Sequence, residues 1–274
     1  MKLFATDLDG TLLNRQGGIH PSDLAAIERA RERGVIVTLA TGRLTSRTHP
    51  IARAMRLTAP LVCADGGVVA CSATERVLRR RPLPLAIAEA ALESLRTASL
   101  ASFVLTHDMI HACPRGMTHR NYVQGWSHAI TGHDDIRSAS AWRDDDDTAI
   151  MVVGIGEAAA VQSAVRELER YRTQVELLSF QIADAHVVRL MAKGATKGST
   201  LLDLAQELGV ARENIAVAGD WYNDISMFEA AGHAFAMPHA PPELKAVASH
   251  VLDEGAPSRG AIAEALERWL AEMG

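Results

Sequence analysis

The run at 35–40, Val-Ile-Val-Thr-Leu-Ala, constrains the fold more than any other feature. It carries one polar side chain and no period-two alternation, so a strand here is buried on both faces. Strands of that kind belong to parallel sheets covered by helices on both sides. The neighbouring segments agree. Residues 2–6 form a short strand ending at Asp7. A helix at 22–33 opens on Pro21-Ser22-Asp23 and stops at Gly34. A second helix occupies 44–55, and 61–64 is a further buried strand. The order β-α-β-α-β predicts an α/β fold with a parallel sheet and helices on its faces.

The same rhythm returns near the C-terminus. A helix at 196–208 stops at Gly209, a strand at 215–218 ends in Gly219-Asp220, and a helix at 224–231 stops at Gly232. A strand at 234–237, a helix opened by Pro241-Pro242, a brief strand at 251–252 and a helix at 261–273 follow. The stretch between differs. It reads as a helix at 84–97, a strand at 103–106, a loose His-, Gly- and Asp-rich segment and a strand at 149–153. A helix at 157–171 and strands at 175–180 and 186–190 complete it. Residues 82–187 hold 8 basic and 14 acidic side chains, and so carry the whole of the chain's net charge of −5. The chain's 274 residues suit two domains. The expected organisation is a core from 1–81 and 188–274, with a second domain, 82–187, inserted into it.

Composition excludes several classes. With 48% hydrophobic and 22% charged residues the chain has the means to bury a core, which rules out disorder. The acidic balance gives no general attraction to nucleic acid or to an anionic membrane. No apolar stretch approaches the ~18 residues of a transmembrane helix. Asp7 follows Met1 too closely for a signal peptide. Cys63, Cys71 and Cys113 form no CxxC and read as reduced, mostly buried thiols of a cytoplasmic protein. Oligomeric state is left open.

Four short motifs carry chemistry. Asp7-Leu8-Asp9-Gly10-Thr11-Leu12 follows an apolar strand. Residues two apart on extended chain point to one side, so two carboxylates can face a cavity at the C-terminal edge of the sheet. Like charges so close need a cation or a shared proton, and Mg²⁺, a hard ion with oxygen ligands, suits the place. Thr41-Gly42-Arg43 offers a hydroxyl, a bare backbone amide and a guanidinium at a strand end, a set that suits phosphate; a plain strand-to-helix turn has the same look. Lys197 opens a helix, where it can act with helix amides on an anion; a solvated helix lysine is the plainer reading. No Walker A glycine precedes it. Gly219-Asp220-Trp221-Tyr222-Asn223-Asp224 again sets acids at a strand end. Asp220 can complete a metal shell, Asn223 can donate to a phosphate oxygen, and Asp224 can hold a metal-bound water or the lysine, or cap a helix. Jointly the four supply what phosphoryl transfer requires: a nucleophile, a proton donor and positive charge around the oxygens.

In these residues the chain resembles the haloacid dehalogenase (HAD) superfamily of phosphatases, and within it the Cof-type HAD-IIB branch. Ala231-Gly232, Ala236-Met237, Ala240, Lys245, Ala248 and Gly260 follow the Cof pattern too. The resemblance implies a Rossmann-like parallel-sheet core with an inserted α+β type-B (C2) cap. It implies Mg²⁺-dependent hydrolysis of a small phosphate monoester, a sugar phosphate or related metabolite, through an aspartyl-phosphate. In that scheme Asp7 attacks phosphorus, and Asp9 protonates the leaving oxygen and then activates water. Thr41, Gly42, Arg43, Lys197 and Asn223 hold the phosphate, while Asp7, Asp9 (by its carbonyl), Asp220 and Asp224 serve the metal. A phosphomannomutase-like phosphotransferase and a non-enzymatic metabolite sensor are the alternatives, and a sensor has no use for Asp9 as acid and base. Three positions depart from the branch: Trp221 replaces a small residue, Asp65 stands for Asn before Gly66, and His239 stands for Asn.

Other signals carry less. Gly154-Ile155-Gly156 with Ala159 fits G-x-G-x-x-A, yet reads best as a tight strand-to-helix turn. His107, His111, His119, His128 and His133 match no ligand spacing and read as exposed or rim side chains. The acidic run at 144–147 reads as a solvated loop, and Arg79-Arg80-Arg81 as a connection between domains.

Overall fold

The computed structural model describes residues 1–74, 76–143, 148–182 and 184–273. The acidic run at 144–147 lies outside the described residues. In chain order the elements begin with β1 (Lys2–Thr6), α1 (Pro21–Glu32), β2 (Val35–Leu39), α2 (Thr45–Ala54), β3 (Leu61–Cys63) and β4 (Val68–Ala70). Next come β5 (Val77–Arg80), α3 (Leu85–Thr97), β6 (Ala101–Leu105), β7 (Ile110–Ala112), α4 (Pro114–Thr118) and β8 (Ile130–Gly132). Then follow β9 (Met151–Gly156), α5 (Ala158–Leu168), β10 (Val175–Ile182), β11 (Ala185–Ala192), α6 (Lys197–Glu207) and β12 (Ile215–Gly219). The chain closes with α7 (Ile225–Ala230), β13 (His233–Ala236), α8 (Pro242–Ala246), β14 (His250–Val251), α9 (Ala256–Arg259) and α10 (Ala261–Glu272). The described residues fall into two compact units, one from 1–42, 48–76 and 196 onward, the other from 43–47 and 77–195.

The first unit holds a parallel sheet in the order β14-β13-β12-β1-β2. A bridge between Ala40 and Val62 extends it to β3. Both faces are covered, which is why its strands lack polar alternation. Leu3, Ala5, Ile215 and Val217 pack with Leu201 and Leu204 of α6 and with Met227 and Phe228 of α7. Phe4, one residue out of phase, meets buried Trp269 of α10 with ring centroids 6.1 Å apart. Each such large side chain contributes about 1.5–3 kcal/mol by leaving water.

Helix α10 is capped from another helix. Gly260 at its N-cap has φ +105°, and a Cβ there would lie 2.9 Å from Asp23 Oδ1. That oxygen, on α1, accepts the Ala263 N–H at 2.8 Å. Burial raises the Asp23 carboxyl above its ordinary value, against the pull of the Ala263 amide. Asp23→Ala leaves a buried helix donor unpaired and should cost about 1–3 kcal/mol of unfolding free energy in a urea titration.

The second unit is an α+β layer. Its sheet runs β10-β11-β9-β6-β7-β8, antiparallel except for the β7–β8 pair. Helices α3 and α5 cover it, with Leu92, Leu95, Val161 and Leu168 against Val104, Val152, Val188 and Leu190. Buried Trp142 joins this core and donates its indole N–H to Ile136 O at 2.8 Å. The segment 43–47 belongs here because Ser46 N and Thr45 Oγ1 both donate to Asp108 Oδ1, at 2.8 and 3.2 Å. This unit starts at Val77 and ends at Ala195, so both ends lie outside the expected 82–187. The C-terminal end extends because β11 pairs with β10 as far as Ala192.

Gly154 and Gly156 close β9, and α5 begins at Ala158 after Glu157 alone, so the tight strand-to-helix turn expected of this motif is present. A Cβ on Gly154 would lie 2.5 Å from a Leu95 methyl and one on Gly156 2.7 Å from a Leu100 methyl, so a side chain at either place would have to displace those leucines. The histidines, expected as exposed or rim side chains, are not uniformly so. His111 is buried, with Nδ1 2.9 Å from His133 Nε2, while His128 lies within 3.0 Å of Arg47 Nη1. Among the described residues these histidines belong to no group of three metal-ligating side chains. Arg81 donates to the Gly194 carbonyl, within the same unit. No described helix is long and apolar enough to cross a membrane.

Candidate active site

Parallel strands bring their C-terminal ends to one edge, and the order β12-β1-β2 makes three of those ends neighbours. Asp7 follows β1, Asp220 follows β12 and Thr41 lies just beyond β2. Asp7 N donates to Ala218 O at 3.0 Å, which ties the end of β1 to β12. Thr41 N donates to Val62 O at 2.9 Å, and Thr41 is buried.

Asp7 and Asp9 do not share one extended strand. The backbone turns after Asp7, with Leu13 N donating to Leu8 O at 2.8 Å and Gly10 at φ +80°. Asp7 is therefore buried while Asp9 is exposed. Gly10 is obligatory on two counts: its positive φ, and a hypothetical Cβ 2.3 Å from Asp220 Oδ2.

Lys197 is the centre of the charge network. Its ammonium, wholly buried, donates to Asp7 Oδ1 at 2.6 Å and to Asp224 Oδ1 at 2.7 Å. Its place is set by close packing of α6 on α7. A Cβ on Gly198 would lie 1.9 Å from Ser226 O, and Gly198 N donates to Ser226 Oγ at 3.1 Å. Thr196 caps α6 by accepting Ser199 N at 3.1 Å. These two α6 amides are thus paired inside the protein. That narrows the sequence expectation of lysine and helix amides acting together.

Asp224 is held on every side. Its Oδ2 accepts Asp220 N at 2.9 Å and Trp221 N at 3.0 Å, while Oδ1 takes Lys197. Asp220 receives Thr11 Oγ1 at 3.1 Å on Oδ1 and lies 3.2 Å from His239 Nε2 through Oδ2. Asn223 donates to Asp65 Oδ1 at 2.7 Å. Asp65 is buried in a left-handed turn with φ 52°, beside Gly42. Arg43 begins the segment grouped with the second unit.

The electrostatics follow from this crowding. Burial, with the charges of Asp224 and Asp220 added, raises Asp7 well above the ordinary carboxyl value against the opposing pull of Lys197. Asp224 is raised by burial too. Burial alone would depress the Lys197 ammonium, but Asp224, Asp7 and Asp65 more than offset it and hold it above the usual lysine range. The Asp220 hydrogen bond raises the His239 imidazole. Negative charge outnumbers positive, as it does where a cation is to be held. Carboxylate oxygens of Asp7, Asp220 and Asp224 lie within 4.8 Å of one another, an all-oxygen set that fits a hard divalent ion.

This constellation on a parallel sheet can be compared with known proteins. The family model described as haloacid dehalogenase-like hydrolase matches residues 4–266. The chain is a haloacid dehalogenase-like hydrolase. Among curated relatives of this hydrolase, the pyridoxal phosphate phosphatase YbhA of Escherichia coli is 28% identical over 262 residues, covering 92% of this chain and 93% of the relative. The HMP-PP phosphatase of Serratia proteamaculans is 26% identical, covering 98% and 95%. A solved sugar phosphatase of HAD subclass IIB superposes with a TM-score of 0.79 at 19% identity, covering 98% and 99% of the two chains. The fold of this hydrolase is therefore that of the IIB structures, a parallel-sheet core with an α+β unit inserted.

Three contacts in the hydrolase's site are absent from the sequence reading: Thr11 to Asp220, His239 to Asp220 and Asn223 to Asp65. Asp65 and His239 stand out in the sequence as departures from the branch. No periodicity could have paired them with partners 158 and 19 positions away.

Proposed function

We propose that this hydrolase is a Mg²⁺-dependent phosphatase of small phosphate monoesters, sugar phosphates or related metabolites, and that it works through a phosphoryl group carried on Asp7. The observation that carries the reading is Lys197, fully buried and bonded at once to Asp7, which follows β1, and to Asp224, which precedes α7. The named phosphatases among its relatives support the reaction class. Cys63, Cys71 and Cys113 are in no disulfide, which agrees with a cytoplasmic setting.

Lys197 occupies Oδ1 of Asp7, so Oδ2 is the attacking oxygen. It forms the bond to phosphorus as the bond from phosphorus to the ester oxygen breaks. Asp9, exposed beside it, gives its proton to the departing alkoxide. Asp9 then takes a proton from water, whose oxygen attacks phosphorus and frees Asp7 and inorganic phosphate. Lys197 keeps its proton throughout and offsets charge on the phosphoryl oxygens, with Thr41 and the Gly42 amide as neutral donors. Asp7, Asp220 and the Asp9 carbonyl would hold Mg²⁺, and Asp224, grouped with them and bonded to Lys197, would hold a metal-bound water or the lysine. Bound there, the ion supplies positive charge that offsets the acids and the phosphoryl oxygens. Arg43 is assigned an accessory phosphate role on the resemblance alone.

The test is phosphate release from p-nitrophenyl phosphate with Mg²⁺ and with chelator. The expected result is turnover only with the metal; turnover unaffected by chelator would sink the metal's part in the reading. A panel of sugar phosphates, pyridoxal phosphate and nucleotides then ranks substrates. Asp65 sharpens the ranking. Its carboxylate disfavours leaving groups that bear further negative charge, and Asn tolerates the same left-handed backbone. Asp65→Asn should therefore raise kcat/KM for such substrates relative to neutral ones, without loss of stability. An unchanged profile removes that role.

A further inference from the structure

We propose that His233, His250 and Glu272 form a second cation site, one for a zinc-class transition metal. The three lie in the first unit, at the start of β13, the start of β14 and the end of α10. The parallel register pairs Phe235 with His250, so His250 shares a sheet face with Phe235 and with His233 two residues earlier. Trp269 and Glu272 are three apart on α10 and so project from one side of that helix.

The donor geometry is compatible with a metal, each imidazole facing a different oxygen of Glu272. His233 Nδ1 is 3.4 Å from Glu272 Oε2, and His250 Nε2 is 3.2 Å from Glu272 Oε1. Hydrogen bonds of this type cluster near 2.9–3.0 Å. In a tetrahedral site with ligand bonds of about 2.0–2.1 Å, neighbouring donor atoms stand about 3.3–3.4 Å apart. One ligand atom from each of the three side chains falls within 4.8 Å of the others.

The rings are held in place beforehand. His250 stacks on Phe235 at 4.9 Å with 17° between planes, and His233 leans on buried Trp269 at 6.3 Å. All three ligands are partly exposed, so an ion can enter from solvent. The C-terminal end of α10 adds negative dipole potential, which favours a cation. Two imidazoles and one carboxylate select zinc-class metals over Mg²⁺, which prefers oxygen. The fourth position is left to water.

The two cation sites are separable in one experiment, which needs no catalytic turnover. The full chain is titrated with Zn²⁺ in a large excess of Mg²⁺, and stoichiometry is read by calorimetry. Wild type should bind one equivalent of Zn²⁺ that His250→Ala and Glu272→Gln each lose, while Asp220→Asn keeps it. Co²⁺ in place of Zn²⁺ should give the visible absorption of a four-coordinate, nitrogen-ligated ion in wild type and not in Glu272→Gln. Glu272 is on the surface, so its variant folds even if His250→Ala does not. No Zn²⁺ uptake above Mg²⁺, or uptake that the His250 and Glu272 variants retain, overturns the proposal.

Discussion

Asp7→Asn should lose at least about 10³-fold in phosphate release, or ~4 kcal/mol of transition-state stabilisation, and should stay folded. The loss follows from chemistry: an amide oxygen does not open a covalent path to phosphorus at a useful rate. The retained fold follows from the site's charge balance. Asp7 sits with Asp220 and Asp224 in a buried acidic group, and burial together with the repulsion of those two acids raises its carboxyl. Removing one charge relieves that repulsion, and the Asn side-chain oxygen can still accept the Lys197 ammonium. Urea unfolding midpoints should be equal to or above wild type. A variant that keeps a tenth of the activity would remove Asp7 from the role of nucleophile.

Lys197→Met should have the opposite signature, losing fold and function together. Methionine matches the aliphatic stem but leaves Asp7 and Asp224 facing each other without a cation. Breaking a buried pair in this way costs about 3–5 kcal/mol, because the remaining charge is left uncompensated. Activity should fall by about 10²–10³-fold in kcat/KM as the phosphoryl oxygens lose their fixed positive neighbour. Adding Asp224→Asn should return at least about 1 kcal/mol, since residues within one network couple non-additively. Equal stability of Lys197→Met and wild type would show that the 2.6 and 2.7 Å contacts contribute nothing to folding.

Much of this arrangement is legible in the sequence. The parallel core reads from unbroken apolar runs at 35–40, 61–64 and 215–218, because burial on both faces removes polar alternation. Asp7, Asp220, Thr41 and Lys197 read from their places at strand ends and a helix start. The failures have local causes. Spacing alone turns Asp7 and Asp9 to one side, whereas the turn at Gly10 leaves Asp7 buried and Asp9 exposed. Strands β7 and β8 were hidden because three residues are too few to show a period. The α6 amides looked open to an anion, but Ser226 lies in a distant motif and only packing reveals that it takes one of them. Pairs such as Asn223 with Asp65 depend on tertiary structure and leave no trace in spacing.

The central claim is the covalent step on Asp7, and one measurement addresses it most directly. The enzyme is mixed with excess substrate and Mg²⁺, quenched in acid within the first turnovers, digested, and its N-terminal peptide weighed. The account predicts that the peptide containing Asp7 gains the mass of one phosphoryl group, that hydroxylamine removes it, and that Asp7→Asn never acquires it. Active enzyme whose Asp7 peptide stays unmodified throughout, or a phosphoryl group found on another residue, would contradict the account.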